Sequence, residues 1–307
     1  MENIYRMNWP KVNLSVECYV NTIRNYRYHW HEDYHEISII LYGRAEYTRG
    51  NEHFILYPDD VILIGPGIGH ASLSLSQDTC ALVVHLSKNT FDAFLDLGTQ
   101  ICFFSVTDKE SRGKPLWKEF RQYASRLIAS LCGNEKTDKI KARAAHELLT
   151  ALMIEQLPYS IFPSNIEDPE RRNAIRRVCD YMEKQYSEKI TLSGLAGLIQ
   201  YNRTYLSTLF HKTVGISLYD YLTRIRFQNA VYDMENTNKT LTEIAIGNGF
   251  PDLKNFSRRF RELTNMSPAE YRKSIAEDTL PHLINTRSTI AADNPVISRR
   301  LLEYRNL

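Results

Sequence analysis

The segment from Thr191 to Tyr221 is echoed by the segment from Thr240 to Tyr271, so this chain must fold twice into one small unit. Thr191, Leu192 and Ala196 match Thr240, Leu241 and Ala245 at an offset of 49. Phe210, Ser217 and Tyr221 match Phe260, Ser267 and Tyr271 at an offset of 50, so the second copy carries one extra residue at its central turn. Each copy has the size of two short helices joined by a turn.

Positive charge gathers where the repeat lies. Residues 169–275 carry 17 Lys/Arg against 11 Asp/Glu, whereas residues 1–168 carry 17 against 21. A basic surface of this kind suits phosphate, although an excess this small favours nucleic acid only weakly. At 307 residues there is room for two cores. Cys18, Cys80, Cys102, Cys132 and Cys179 are odd in number and form no CxxC pair, which argues against a disulfide framework and a cysteine zinc site. No signal-like apolar segment opens the chain and no long apolar run occurs, so a cytoplasmic protein without membrane contact is expected.

Before the repeat the pattern is different. From about Asn13 to Leu86 apolar residues recur with a period near two, broken at Gly43, Arg49–Asn51 and Pro58–Asp60, as in a sandwich or small barrel. After about Lys109, Leu116, Phe120, Tyr123, Leu127 and Leu131 define one helix face, and Ile140, Ala144, Leu148, Ala151 and Met153–Ile154 another. Those helices pack on their own domain or on a second subunit. Pro158–Pro169 reads as a linker, with Asp168 capping the next helix and Pro169 at its first position. Ile175, Val178, Cys179 and Met182 are the buried stripe of that helix, and the tail beyond Ser274 is expected to be lightly packed. The expected division is 1–108, 109–160, a linker over 161–168, then 169–275 and a tail over 276–307.

Start signals fall where linked helices need them. Thr240–Glu243 and Ser267–Glu270 are capping boxes, and Asn202 and Asp252 cap the second helix of each unit. Those helices, predicted over 203–212 and 253–263, bury Leu206, Leu209, Phe210, Phe256 and Phe260. They turn outward Arg203, Thr204, Ser207, Thr208 and His211, then Lys254, Asn255, Arg258 and Arg261, side chains able to bond base edges and phosphates. A helix from Leu218 to about Glu235 joins the units and sets them roughly one DNA turn apart.

These residues resemble the paired helix-turn-helix domain of the AraC/XylS family of bacterial transcription regulators. The matching strings are L-x-x-L-A at Leu192–Ala196, Y-L-S-x-L-F at Tyr205–Phe210 and Y-L-x-x-x-R at Tyr221–Arg226. E-I-A-x-x-x-G-F at Glu243–Phe250, D-x-x-x-F-S-R-x-F at Asp252–Phe260 and S-P-x-E-Y-R at Ser267–Arg272 complete them. By position, the resemblance assigns base reading to Thr204, Ser207, Thr208, Lys254, Asn255 and Arg258. It implies a transcription regulator, usually an activator, that binds promoter double-stranded DNA, engages RNA polymerase and forms a homodimer. Gln200 departs from the family's turn glycine, which Gly249 keeps, and Gly194 and Gly197 weaken the first helix of unit one. Unit one is therefore expected to be the looser of the two.

The N-terminal half resembles a cupin-type sensor barrel. His29-Trp30-His31, Glu36 and Gly43 follow H-x-H-x4-E-x6-G, while the second motif keeps Gly67 and His70 but has Gly65 for proline and Asp59 for glycine. His29 and His31, two apart on a strand, share a face; with Glu36 and His70 they make a set suited to a divalent transition metal, to an organic effector such as a sugar, or to a purely structural role. His35 is either a surface residue or a substitute ligand, and Tyr28, Trp30, Tyr34 and Tyr42 nearby are expected to pack in the core rather than to stack on sugar rings. The expected fold is α+β: a cupin-like barrel with a helical segment, then an all-α domain of two helix-turn-helix units on a long helix. A metal-dependent cupin enzyme carrying a DNA-binding domain is the competing reading.

Overall fold

The computed structural model describes residues 3–10, 13–23, 25–50, 52–76, 79–163, 169–214, 216–264, 266–277 and 289–307. Two sheets face each other to form the barrel. One orders β1 (Tyr5–Trp9), β2 (Leu14–Thr22), β9 (Cys80–Ser87), β4 (Tyr34–Tyr42) and β7 (Val61–Ile64). The other orders β3 (Asn25–His29), β8 (His70–Ser74), β5 (Ala45–Arg49) and β6 (Glu52–Leu56). Every neighbouring pair is antiparallel, so alternate side chains divide cleanly between the barrel interior and the outside. On β2, β4 and β9 the outward set, including Val16, Cys18, Val20, Ile37, Ile39, Val84 and Leu86, is buried against helices.

Those helices are α1 (Pro115–Cys132) and α2 (Asp138–Gln156). α1 buries Trp117, Phe120, Ala124, Leu127 and Ile128. α2 differs from the sequence expectation: the stripe Ile140, Ala144, Leu148 and Ala151 faces solvent, with Ile140 71% and Leu148 47% exposed. Its inward face is Ala142, Ala145, Leu149 and Met153, interrupted by His146 and Thr150. Small residues allow close approach to α1, and polar ones hide the stripe from a count of apolar positions.

Two further expectations are corrected. The first residues of the proposed linker form β11 (Tyr159–Pro163), which pairs with β10 (Thr99–Phe103). Pro158 and Pro163 stand just before and at the end of this edge strand, where a missing N–H is tolerated. The tail is not lightly packed in its described part. β12 (Thr289–Ile290) pairs with β2, and α10 (Pro295–Arg305) buries Ile297, Leu301 and Tyr304 in the same core as α1. Arg300 ties α10 to Asp59 at 2.8 Å, and the Ser125 hydroxyl donates to the Leu301 carbonyl. Both ends of the helical domain therefore lead into the barrel domain. The Asp168 cap falls outside the described residues.

The helical domain comprises α3 (Pro169–Lys184), α4 (Leu192–Leu198), α5 (Arg203–Val214), α6 (Leu218–Asn236), α7 (Leu241–Gly247), α8 (Leu253–Thr264) and α9 (Pro268–Glu277). Thr240 and Glu243 form the capping box, Glu270 and Ser267 exchange the equivalent bonds, and Asn202 and Asp252 accept from Tyr205 N and Asn255 N. One core gathers Ile175, Val178, Met182, Leu195, Leu206 and Phe210; the other gathers Phe227, Met234, Ile244, Phe256 and Phe260. Each unit thus has its own apolar centre, and α6 contributes to both. Among the described residues no helix is long and apolar enough to cross a membrane.

Candidate functional site

Glu36 is the centre of the barrel site. Strand register places Glu17 on β2, His85 on β9 and Glu36 on β4 in one row, and alternation turns all three inward. Glu36 Oε2 lies 3.1 Å from His70 Nε2, 3.2 Å from His85 Nε2 and 3.4 Å from His31 Nε2, while the Ser38 hydroxyl donates to Oε1 at 2.9 Å. His29 completes the group, its ring 4.2 Å from that of His70 and 4.9 Å from that of His31. β3 ends at His29, so His31 reaches the site from the following turn rather than from the strand. All four residues proposed from the sequence are therefore brought together.

Burial alone would raise the Glu36 pKa, but His70 above all, with His31 and His85, holds it well below the usual carboxylate range. Burial would lower the pKa of His85; its bonds to Glu17 and Glu36 outweigh this and raise it to about 9. A charged imidazolium between two carboxylates is thus the stable form of that row at neutral pH. Glu17 is held low chiefly by His85.

His85 and Glu17 were missed in the sequence. Their signal was the alternation Ala81-Val83-His85, which puts a histidine on the inward face of an otherwise apolar strand. His35 is neither a surface residue nor a substitute ligand. It points to the helix side against Phe91 and Phe103, and burial lowers its pKa to about 3. Of the aromatic residues named from the sequence, Tyr34 joins the site, stacked on His85 at 5.6 Å, and Tyr19, not named there, meets the same ring edge-on at 5.5 Å. Trp30 packs in the core of the first helical unit and Tyr42 beneath Arg300. The Tyr28 side chain lies outside the described residues.

A pocket of about 350 Å³ opens beside this row. It is lined by Ser15, Tyr34 and Ser87, each two residues along its strand from Glu17, Glu36 and His85, and by Asp33, Lys88 and Asn89. Same-face residues two apart are separated by about 6.6 Å, so the pocket lies one step along the strands from the row, with Tyr34 between them. Donor atoms of His29, His31, Glu36 and His70 all lie within 4.8 Å of one another. Ligand atoms around a transition metal stand about 3–4 Å apart, so this set fits such an ion after a modest contraction.

The second site is the outer face of the helical domain. Arg203, Thr204, Ser207, Thr208 and His211 on α5 are exposed, as are Lys254, Arg258 and Arg261 on α8; Asn255 is half-buried. Arg258 and Arg259 both bond Glu262, at 2.7 and 2.9 Å. The 19 residues of α6 span about 28 Å and hold the two faces apart.

A cupin domain model matches residues 25–86 and a helix-turn-helix domain model matches residues 195–274, in that order along the chain. An uncharacterized HTH-type transcriptional regulator of Staphylococcus aureus (strain COL) is 28% identical over 242 residues, 77% of this chain. The chain spans 31% of the length of that relative. The Msm operon regulatory protein of Streptococcus mutans serotype c is 28% identical over 263 residues, covering 78% of this chain and 94% of that one. The crystal structure of an AraC-type transcriptional regulator from Chromobacterium violaceum is 23% identical over 36% of this chain and 98% of its own, with a TM-score of 0.33. Over both domains the chain is similar to proteins named as transcriptional regulators. Its cupin domain precedes the helix-turn-helix domain, as the resemblance in its motifs implied.

Proposed function

We propose that this chain is a cytoplasmic AraC-family regulator that senses a small molecule in its barrel and binds promoter double-stranded DNA through α5 and α8. The observation that carries the reading is the pairing of two helices whose inner faces are committed to separate cores and whose outer faces are polar and basic. Arg203, Thr204, Ser207, Thr208, His211, Lys254, Asn255 and Arg258 are the proposed DNA contacts. Residues 1–108 form the sensing domain and 169–275 the reading domain in this scheme.

The effector is held by His29, His31, Glu36 and His70, either as a bound metal or as an organic molecule, such as a sugar, filling the adjoining pocket. A metal there would supply a positive charge and fixed coordination directions; the residues themselves orient the occupant and keep Glu36 ionised. The barrel acts as a sensor rather than a catalyst, in line with relatives named as regulators. The exposed Ile140–Leu148 stripe of α2 supports a homodimer, and activation through RNA polymerase is the output we assign.

The test is selection of duplexes from genomic fragments by the full chain, followed by Arg258→Ala. Loss of about 1–3 kcal/mol of discrimination between selected and random duplexes is expected. An equal loss on both would place Arg258 on phosphate, and failure to select any duplex would overturn the reading.

A further inference from the structure

β8 has one side in the ligand site and the other in the DNA-binding domain. His70 and Ser72 point into the barrel, where His70 touches Glu36. The alternate residues Ala71, Leu73 and the following Leu75 point out: Ala71 packs against the core of the first helix-turn-helix unit, Leu73 and Leu75 join that of the second. The neighbouring strand repeats this division. Glu46, paired with Leu73, and Thr48, paired with Ala71, bond Arg224 on α6 at 2.6 and 3.3 Å. Trp30 sits between the site residues His29 and His31, yet is 9% exposed, lies in the first unit's core and stacks beneath Arg176 of α3 at 4.6 Å.

We infer that β8 and the His29–His31 turn couple the two sites, so that an occupant of the histidine cluster loosens the sensor's hold on both helix-turn-helix units. The inference rests on the reading of the cluster as a ligand site. An occupant that draws donor atoms spread over 4.8 Å to bonding separations pulls His29 and His31 towards His70. Trp30, fixed between them in sequence, is drawn with them away from its seat against α3. Because Ala71, Leu73 and Arg224 grip both units and the helix that joins them, the release changes the setting of the two reading helices together.

The experiment uses the full chain with Trp9→Phe and Trp117→Phe, leaving Trp30 as its single tryptophan. Amide exchange of the unmodified chain serves as a second readout if that variant does not fold. Zinc alone is the first probe, its binding followed by metal content. Bound zinc should move Trp30 emission to longer wavelength and speed exchange in α3 and α6 by about tenfold or more. Zinc that binds without either change overturns the coupling.

If zinc does not bind, two substitutions still decide the coupling. Leu73→Asp, on the outer face and away from the site, should expose Trp30 as well as the second unit. His70→Phe, on the inner face, should shift Trp30 emission without touching the docking surface. Leu73→Asp that loosens only the second unit, or His70→Phe that leaves Trp30 emission unchanged, overturns the proposal.

Discussion

Gln200 and Gly249 occupy the same corner of the two repeats, with φ of 59° and 80°. In both, the N–H of the next residue closes the helix by bonding five residues back, Tyr201 to Ala196 and Phe250 to Ala245. The first corner is exposed. In the second, a Cβ on Gly249 would lie 2.8 Å from the Tyr186 and Ser187 carbonyls. Gln200→Gly should therefore stabilise by roughly 0.5–1 kcal/mol, the left-handed penalty less the entropy of glycine. Amide exchange of α4 should slow with it; no change would remove strain as the source of any looseness in unit one. Gly249→Ala should cost about 2 kcal/mol or more in a urea titration, and a tolerated alanine would contradict this corner geometry. The corner was legible because glycine at one copy and not the other marks the same backbone need twice. His85 was not, since a single histidine in an apolar strand acquires meaning only when the sheet register sets it between Glu17 and Glu36. His35 offers a prediction by pH. Its folded pKa of about 3 lies below its unfolded value, so the unfolded chain takes up the proton first. Stability is full above about pH 6.5 and falls as pH drops towards 3. Between pH 6.5 and 5 the wild type should lose up to about 2 kcal/mol more than His35→Leu, by urea midpoints at each pH. Equal losses would mean that His35 takes no part.

At the level of elements, α5 through α9 were readable because caps, apolar spacing and turn residues agree, each specifying the same limits. α2 shows where such reading fails. It carries two stripes, and the more apolar one, with Ile140 and Leu148, is the one left uncovered. The buried stripe owes its place to alanines that let α1 approach, which only the packing reveals. A proposed homodimer gives the uncovered stripe an occupant. Leu148→Glu should then turn a dimer into a monomer in sedimentation, without lowering thermal stability of the isolated chain; a dimer that survives moves the interface elsewhere. β11 was obscured by its flanking prolines, which suggest a linker but are equally at home at the ends of an edge strand.

On the scale of the whole molecule, the two cores of the helical domain and the barrel were foreseeable as separate hydrophobic patterns, but their union was not. Contacts such as Arg224 with Glu46, or Trp30 with α3, leave no periodicity. Neither does α10, whose Leu301 is buried beside α1 although residues 169–277 intervene. Leu301→Ala should cost about 2–5 kcal/mol and speed amide exchange in β2 and α1 before α8. Uniform loosening of all three would show that α10 does not belong to the barrel's folding unit.

That docking imposes an order on biosynthesis. A ribosome delivers β1 to β11 first, then α3 to α9, and only afterwards the strand and helix that seal the barrel's core. While the chain is emerging, the helical half already has its apolar partners in the barrel, Trp30, Ala71, Leu73 and Leu75, because they are made before it. The barrel half waits with Ala292, Ile297, Leu301 and Tyr304 missing from its centre. A nascent chain of this design can complete its helical half before its barrel half, whose core closes only once Tyr304 is in place.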